Sequence, residues 1–461
     1  MHGTIISPNG QSGDRVRVGP AAGGLCSQDT MPLHLPSQMP GQIRGIPRNT
    51  SGSDLARHIW GQRRHNTGPP GALRPMTNID PPARFTLIHF KSTNMNNLFS
   101  SFSLKDVTLR NRIAVPPMCQ YSAQDGFTTD WHQIHYASLA RGGAGLVIVE
   151  ATAVSPEGRI TPDCLGLWSD EHVAGLAKIA ASIKAAGAVP GIQIAHAGRK
   201  ASANRPWDGD DHIADGDPRG WQPIAPSAIA YGENLPKVPR AMTLEDIERV
   251  KADFAAAARA RDAGFEWLEL HFAHGYLAQS FFSAHSNQRD DQYGGDLAGR
   301  SRFLLETLAA VRDAWPQNLP LTARFGVIEY DGRDEQTVAE SIELARNMRK
   351  GGLDMLNVSA NFVIPDTHIP WATPAFLAPI AQRLRNEAGL PVASAWGIDD
   401  PQVANRVVQE EQLDLVMIGR AHLTDPHYPL VLAKTLGQPR PTWVLPAPYA
   451  HWLERYRGAA A

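Results

Sequence analysis

Eight short apolar runs recur along this chain, at 113–116, 145–150, 191–195, 267–272, 321–325, 355–358, 392–395 and 415–418. Stretches with helical apolar spacing separate them, for example at 170–186, 243–263, 299–315, 335–349 and 400–410. Strands buried on both faces read as continuous apolar runs, so this alternation points to a parallel sheet covered by helices. Eight is also the number of strands that closes a (β/α)8 TIM barrel. The competing architecture is an open, doubly wound sheet. It favours a G-x-G-x-x-G turn after the first strand, but here Met118-Cys119-Gln120-Tyr121 follows. The barrel is therefore expected. Helix signals agree with it: Thr243 precedes Glu245 and Asp246, a cap with an acidic first turn. Residues 197–242 then form an insertion after the third strand, rich in Gly, Pro and Trp and long enough to serve as a lid.

The first 94 residues differ from the rest. They contain no Glu and are strongly basic, with Gly and Pro in runs such as Gly68-Pro69-Pro70-Gly71. They show no sustained apolar period, so they cannot bury enough surface to offset chain entropy. We read 1–94 as a disordered extension or a misassigned start, with Met95 a natural alternative start; an Arg-rich, acid-poor targeting segment is the other reading. Residues 95–461 are the expected barrel domain. The whole chain of 461 residues has 44 Lys+Arg against 46 Asp+Glu. This near-neutral balance argues against a nucleic-acid or membrane-surface binder, which needs a basic face. No apolar run approaches the ~20 residues that cross a bilayer. Three cysteines, Cys26, Cys119 and Cys164, are too few for a disulfide framework and suit a reducing, cytoplasmic setting.

In a barrel, chemistry sits at the C-terminal strand ends. Read in order, these are Pro116-Pro117-Met118-Cys119-Gln120-Tyr121, Glu150-Ala151-Thr152, Gln193 through Arg199, His271-Phe272-Ala273-His274-Gly275-Tyr276, Arg324, Ser394-Ala395-Trp396-Gly397 and Ile418-Gly419-Arg420. The set has no carboxylate cluster of the kind that holds Mg²⁺. No Lys ends a strand, which argues against a Schiff-base aldolase. Gly397 and Gly419 fit the phosphate position that barrels place near strands seven and eight, with Arg420 adding charge. His271 and His274 suit two imidazole donors aimed at one oxygen, and Tyr276 supplies an O–H able to donate a proton. Structural histidines remain possible. So does a zinc site completed by His196, which would make the chain a metal-dependent barrel hydrolase.

Taken together, Pro116 through Ser122, Gln193 through Arg199, His271 through Tyr276, Asp291-Gln292-Tyr293-Gly294-Gly295 and Ile418-Gly419-Arg420 resemble the Old Yellow Enzyme family of FMN-dependent ene-reductases. Cys119 with Tyr121 is similar to its thermophilic-like subgroup. Pro370-Trp371 and the ending Pro446 through Trp452 are similar to the xenobiotic reductases. The resemblance covers about residues 96–457. One departure is Gly299-Arg300, where the family usually has Asn-Arg; loss of a polar side chain at a helix start predicts a modest stability cost.

The resemblance implies FMN in the barrel mouth and a ping-pong reaction with NADPH or NADH as hydride donor. It implies Pro116, Pro117, Met118, Cys119 and Ala151 along the flavin ring. Gln193 would meet its pyrimidine edge, Arg324 its N1/O2 edge, and Gly397, Gly419 and Arg420 its phosphate. His271 and His274 would bind the carbonyl oxygen of an α,β-unsaturated substrate, Tyr276 would protonate its α-carbon, and Tyr121, Trp371 and Trp452 would touch it. Nitrate esters, nitroaromatics or quinones are alternative substrates. A homodimer or homotetramer is expected, and no metal.

Overall fold

The computed structural model describes residues 97–232 and 234–456, so the reading of 1–94 lies outside the described residues. The chain opens with an antiparallel hairpin, β1 (Phe102–Leu104) and β2 (Val107–Leu109), in which Phe102 faces Leu109. Next come β3 (Ile113–Val115), β4 (Leu146–Ala153) and β5 (Val189–Ala195). Two short strands follow, β6 (Ile224–Ala225) and β7 (Arg240–Ala241), paired with each other in the long segment after β5. The chain then adds β8 (Trp267–Phe272), β9 (Leu321–Gly326), β10 (Met355–Ser359), β11 (Val392–Ser394) and β12 (Leu415–Met417). Strands β3, β4, β5, β8, β9, β10, β11 and β12 close into one parallel barrel in that order. All eight apolar runs lie on barrel strands.

The apolar runs bury on both faces. Every residue of β4, β8 and β9 is buried. Outward residues pack beneath the helices. Inward residues Ala114, Leu146, Ile148, Trp267, Met355, Leu415 and Met417 form a second cluster that also takes in Phe102, Val107 and Leu109 of the hairpin. The hairpin thus plugs the N-terminal end of the barrel, and Asp106 N–H donates to Asn318 O, just ahead of β9. Each large apolar side chain so buried contributes roughly 1.5–3 kcal/mol.

Helix boundaries follow local chemistry. Thr243 caps the helix Leu244–Ala256, accepting from Asp246 N–H at 3.1 Å, while Asp246 accepts from Thr243 N–H at 2.9 Å. That helix is shorter than the stretch read at 243–263 and tightens into a 3-10 turn at Ala257–Arg261. At the departure noted above, the cap of the helix Leu297–Ala314 is Asp296, which accepts from Gly299 N–H at 2.9 Å. A Cβ at Gly299 would fall 2.0 Å from Gly294 O. Gly299 is therefore needed for a close approach, and the expected loss of a cap does not arise.

The segment after β5 carries 3-10 turns at Gly198–Lys200 and Pro206–Asp208 before the β6–β7 pair. Buried Arg199 ties it down, donating to the carbonyls of Ile229, Ala230 and Val363. Since Val363 follows β10, this segment is anchored at the C-terminal end of the strands. No helix among the described residues is long and apolar enough to cross a membrane.

Candidate active site

Strand pairing brings a polar layer to the upper barrel interior. Gln193 is opposite Glu269, and Arg324 is opposite both His271 and Asn357. Glu269 and His271, two residues apart on β8, share a face. Gln193 Nε2 donates to Glu269 Oε1 at 2.8 Å, and Asn357 Nδ2 donates to Oε2 at 3.0 Å. Burial raises the Glu269 carboxyl pKa; nearby Arg324 and the two amides pull it back down. One N–H of Gln193 is thus committed inward, and its carbonyl oxygen remains for other partners.

Arg324 is 6% exposed. Among the described residues it donates no hydrogen bond, and its Nε has no acceptor. An unpaired buried cation of this kind is costly unless something completes it. The guanidinium borders a cavity of about 370 Å³, lined by Pro116, Pro117, Met118, His274, Trp396, Gly397, Gly419 and Arg420 among others. The structure therefore gathers most of the residues read from strands one, five, seven and eight around one space.

The β8 end supplies the other wall. The chain turns through left-handed backbone at His274 (φ 61) and Gly275 (φ 68). This brings the ring of His271 to 5.0 Å from that of His274 and 4.9 Å from that of Tyr276, centroid to centroid. His271 Nδ1 accepts from Ala273 N–H at 3.2 Å, so the ring proton sits on Nε2. His274 Nε2 pairs with Ser359 Oγ at 2.8 Å, leaving Nδ1 as its free nitrogen. Burial, helped by Arg324, holds both histidines well below their usual pKa, so both are neutral near pH 7. Burial raises the Tyr276 phenol well above its usual value, so it keeps its proton.

Around this wall stands an aromatic cluster. Phe362 lies 5.5 Å from His274 and 6.0 Å from Trp396, and Trp371 lies 5.3 Å from Trp396 and 6.2 Å from Phe362. On the opposite side, Tyr121 (φ 47) meets Trp207 of the long segment edge-on at 5.7 Å. Burial raises the pKa of both Cys119 and Tyr121. A bulge in β4 at Glu150 aims that carboxylate at the same loop. Glu150 accepts from Gln120 N–H at 2.8 Å and Tyr136 O–H at 3.0 Å, with His132 Nε2 at 3.5 Å. Burial raises its pKa to about 7.

Trp452 is 72% exposed on the C-terminal helix Ala447–Arg455 and is not part of this cavity. That end of the chain packs outside the barrel, where Pro446, Pro448 and Tyr449 share a groove with Gln133, Ile134 and Ala137. A lysine does reach the site, although none ends a strand: Lys200, from the turn after β5, donates to His274 O and Phe362 O. His196 does not join His271 and His274; its Nδ1 accepts from Gly198 N–H, and its ring lies beside Gly158. The cluster of metal-ligand type among the described residues is His285, Glu329 and Asp331, and Arg333 already reaches into it. Glu269 and Asn357 were missed, although strand alternation with His271 and the apolar run at 355–358 marked both as inward-facing.

Residues 97–438 match the NADH:flavin oxidoreductase / NADH oxidase family. The chain is 40% identical over 343 residues to an NADPH dehydrogenase of Geobacillus thermodenitrificans, covering 74% of this chain and 94% of that protein. It is 41% identical over 346 residues to an NADPH dehydrogenase of Halalkalibacterium halodurans, covering 74% and 95%. Among solved structures, morphinone reductase superposes with a TM-score of 0.62 at 26% identity, over 76% of this chain and 91% of that one. A 2-naphthoyl-CoA reductase superposes at 0.67 and 25% identity over 76% of this chain; the match spans about half, 53%, of that longer protein.

Proposed function

Because the chain belongs to the NADH:flavin oxidoreductase / NADH oxidase family, that of Old Yellow Enzyme-like reductases, we propose that it reduces the activated C=C bond of α,β-unsaturated carbonyl compounds with NADPH or NADH. The cofactor of this reading is FMN. The residues present fit it: Arg324 is a buried cation whose Nε has no acceptor among the described residues, and it borders a cavity that also presents Gly397, Gly419 and Arg420. Those three would hold the phosphate, the Pro116–Cys119 segment and Ala151 the ring, and the free Gln193 oxygen and Arg324 the pyrimidine edge. When bound, FMN would supply two-electron hydride chemistry, with the nicotinamide as the hydride source and the β-carbon of the alkene as the acceptor.

The observation that carries the proposal is the convergence of two neutral histidines and one protonated tyrosine beside that cavity. His271 Nε2–H and His274 Nδ1–H bind the substrate oxygen. They polarise the double bond and stabilise the enolate charge that develops there. Being neutral, they do so without presenting a mobile proton. Tyr276 holds the proton for the α-carbon, where a positioned donor typically contributes 10²–10⁴-fold in rate. Arg324, whose Nε has no acceptor among the described residues, would supply a fixed positive charge at the edge of the bound group. Tyr121, Trp371 and Trp396 bound the space over the substrate. Trp452 is exposed on the outer surface, and this reading assigns it to the site of a second copy in a homodimer or homotetramer.

The test is the product. Full-length, FMN-loaded protein with NADPH and 2-cyclohexenone is expected to yield cyclohexanone. NADPH consumption with the C=C bond intact would contradict the proposal, and turnover confined to nitrate esters or nitroaromatics would replace it.

A further inference from the structure

Lys200 has no place in the reaction just described, yet it occupies a distinctive position beside it. Its Nζ donates to two carbonyls, His274 O and Phe362 O, each at 2.8 Å. Both residues sit in left-handed backbone, with φ 61 and φ 50, a region that L-residues adopt at a cost. Their carbonyls come from different loops, one after β8 and one after β10. Between them lies Gly275 (φ 68): a Cβ there would fall 2.3 Å from Phe362 O and about 3 Å from the end of the Lys200 side chain. Tyr231, from the segment after β5, places its ring 3.9 Å from Nζ. Nζ thus gives two N–H groups to carbonyls and lies against an aromatic face, and among the described residues it makes no ion pair.

We propose that Lys200 is a positioning residue that locks the His274–Tyr276 turn to the Phe362 segment, so that the oxygen-binding and proton-donating groups and the aromatic wall keep one fixed spacing. The proposal rests on the reading of this site as an ene-reductase. The first turn is closed locally by Tyr276 N–H donating to Ala273 O at 3.2 Å, but that bond does not tie it to the Phe362 segment. His274 and Phe362 each hold a costly backbone angle, and one buried nitrogen bonded to both carbonyls is what they share. Phe362 in turn contacts His274, Trp371 and Trp396. Releasing the clamp would let the wall and the donors move independently. Nζ gives its hydrogen bonds to backbone carbonyls and lies 3.9 Å from the Tyr231 ring centroid and 5.9 Å from that of Tyr276, so Lys200 acts through these groups.

The experiment uses the FMN-loaded full chain and compares Lys200→Met with Lys200→Arg. Hydrogen exchange followed by mass spectrometry is expected to speed up in peptides covering 272–280 and 360–372 together, by at least about tenfold in Lys200→Met, with the rest of the barrel unchanged. In stopped flow, reoxidation by 2-cyclohexenone should slow by about a hundredfold and reduction by NADPH by less than about threefold, since misplacement of an ångström costs this much at the reacting centre. Lys200→Arg, which keeps charge and donors, should recover part of both effects. Gly275→Ala, which drives a Cβ into Phe362 O, should loosen the same two peptides and serves if Lys200→Met does not fold. Unchanged exchange, faster exchange in only one of the two segments, or equal slowing of both half-reactions overturns the clamp. If the parent protein itself does not reduce the enone, the reading of the reaction fails, while the paired exchange result still decides the clamp.

Discussion

The two ends of the barrel interior use the same strands for opposite purposes. At the N-terminal end, inward positions carry Leu146, Trp267, Met355 and Leu415, and the β1–β2 hairpin seals them with Phe102, Val107 and Leu109. The polar atom buried there, Trp267 Nε1, has its partner in Thr322 Oγ1 at 3.1 Å. At the C-terminal end the inward positions carry Gln193, Glu269, His271, Arg324 and Asn357. Here buried polar atoms stand without partners, Arg324 Nε and Asn357 Oδ1 among them. Buried polar groups in native proteins are nearly always paired. At the first end the buried indole is paired, and at the second buried polar atoms lack partners among the described residues. Stability resides mainly at the first end and chemistry at the second.

Substitutions should separate the two. At the mouth, Tyr276→Phe is expected to slow reoxidation by an enone about 10²–10⁴-fold while flavin reduction and melting temperature stay near the parent's, because only the oxidative half needs the proton. Equal slowing of both halves in stopped flow would remove the role. At the plugged end, Trp267→Ala is expected to cost about 3–5 kcal/mol, with turnover per folded molecule preserved; denaturant unfolding beside a steady-state assay reads both. A loss of turnover without loss of stability would blur the division.

The next effect depends on pH. Glu150 titrates near 7 in the folded protein because it is buried, whereas an unfolded glutamate titrates near 4.3. Between those values the folded state keeps a proton that the unfolded chain has released. Its contribution is therefore most favourable in acid and falls as pH rises through about 7, by roughly 4 kcal/mol in all. Glu150→Gln should flatten that decline in melting temperature between pH 5 and 8; an unaltered slope would assign it to other groups. Smallest in stability is Arg324→Met. Removing a buried charge that makes no side-chain hydrogen bond among the described residues, with only Glu269 as a nearby opposite charge, should leave the FMN-free protein as stable as the parent or about 1–3 kcal/mol more so, while FMN no longer survives gel filtration. An apoprotein destabilised by this change would mean that Arg324 serves the fold.

Much of this division could be read from the chain. Parallel barrel strands are buried on both faces, so the runs at 113–116 through 415–418 stood out, and strand ends then pointed to His271, Arg324, Gly397 and Gly419. The run at 145–150 was cut short because the bulge at Glu150 lets β4 continue pairing to Ala153, where the sequence turns less apolar. The hairpin escaped notice because its strands are three residues each, too short for a period to show. Lys200 lay within a motif that was read only as far as Arg199, and nothing local reports that its partners lie 74 and 162 residues away. Trp452 sits exposed on a helix that packs outside the barrel, away from its own chain's cavity, and no local pattern reports that placement.

The most direct measurement is the visible spectrum of the purified full-length protein, taken without air, after NADPH, and again after 2-cyclohexenone. The account predicts a flavin band that bleaches on the first addition and returns on the second, with the return slowed in Tyr276→Phe. A colourless protein that FMN does not reconstitute, or a bleached flavin that no enone reoxidises, would contradict it.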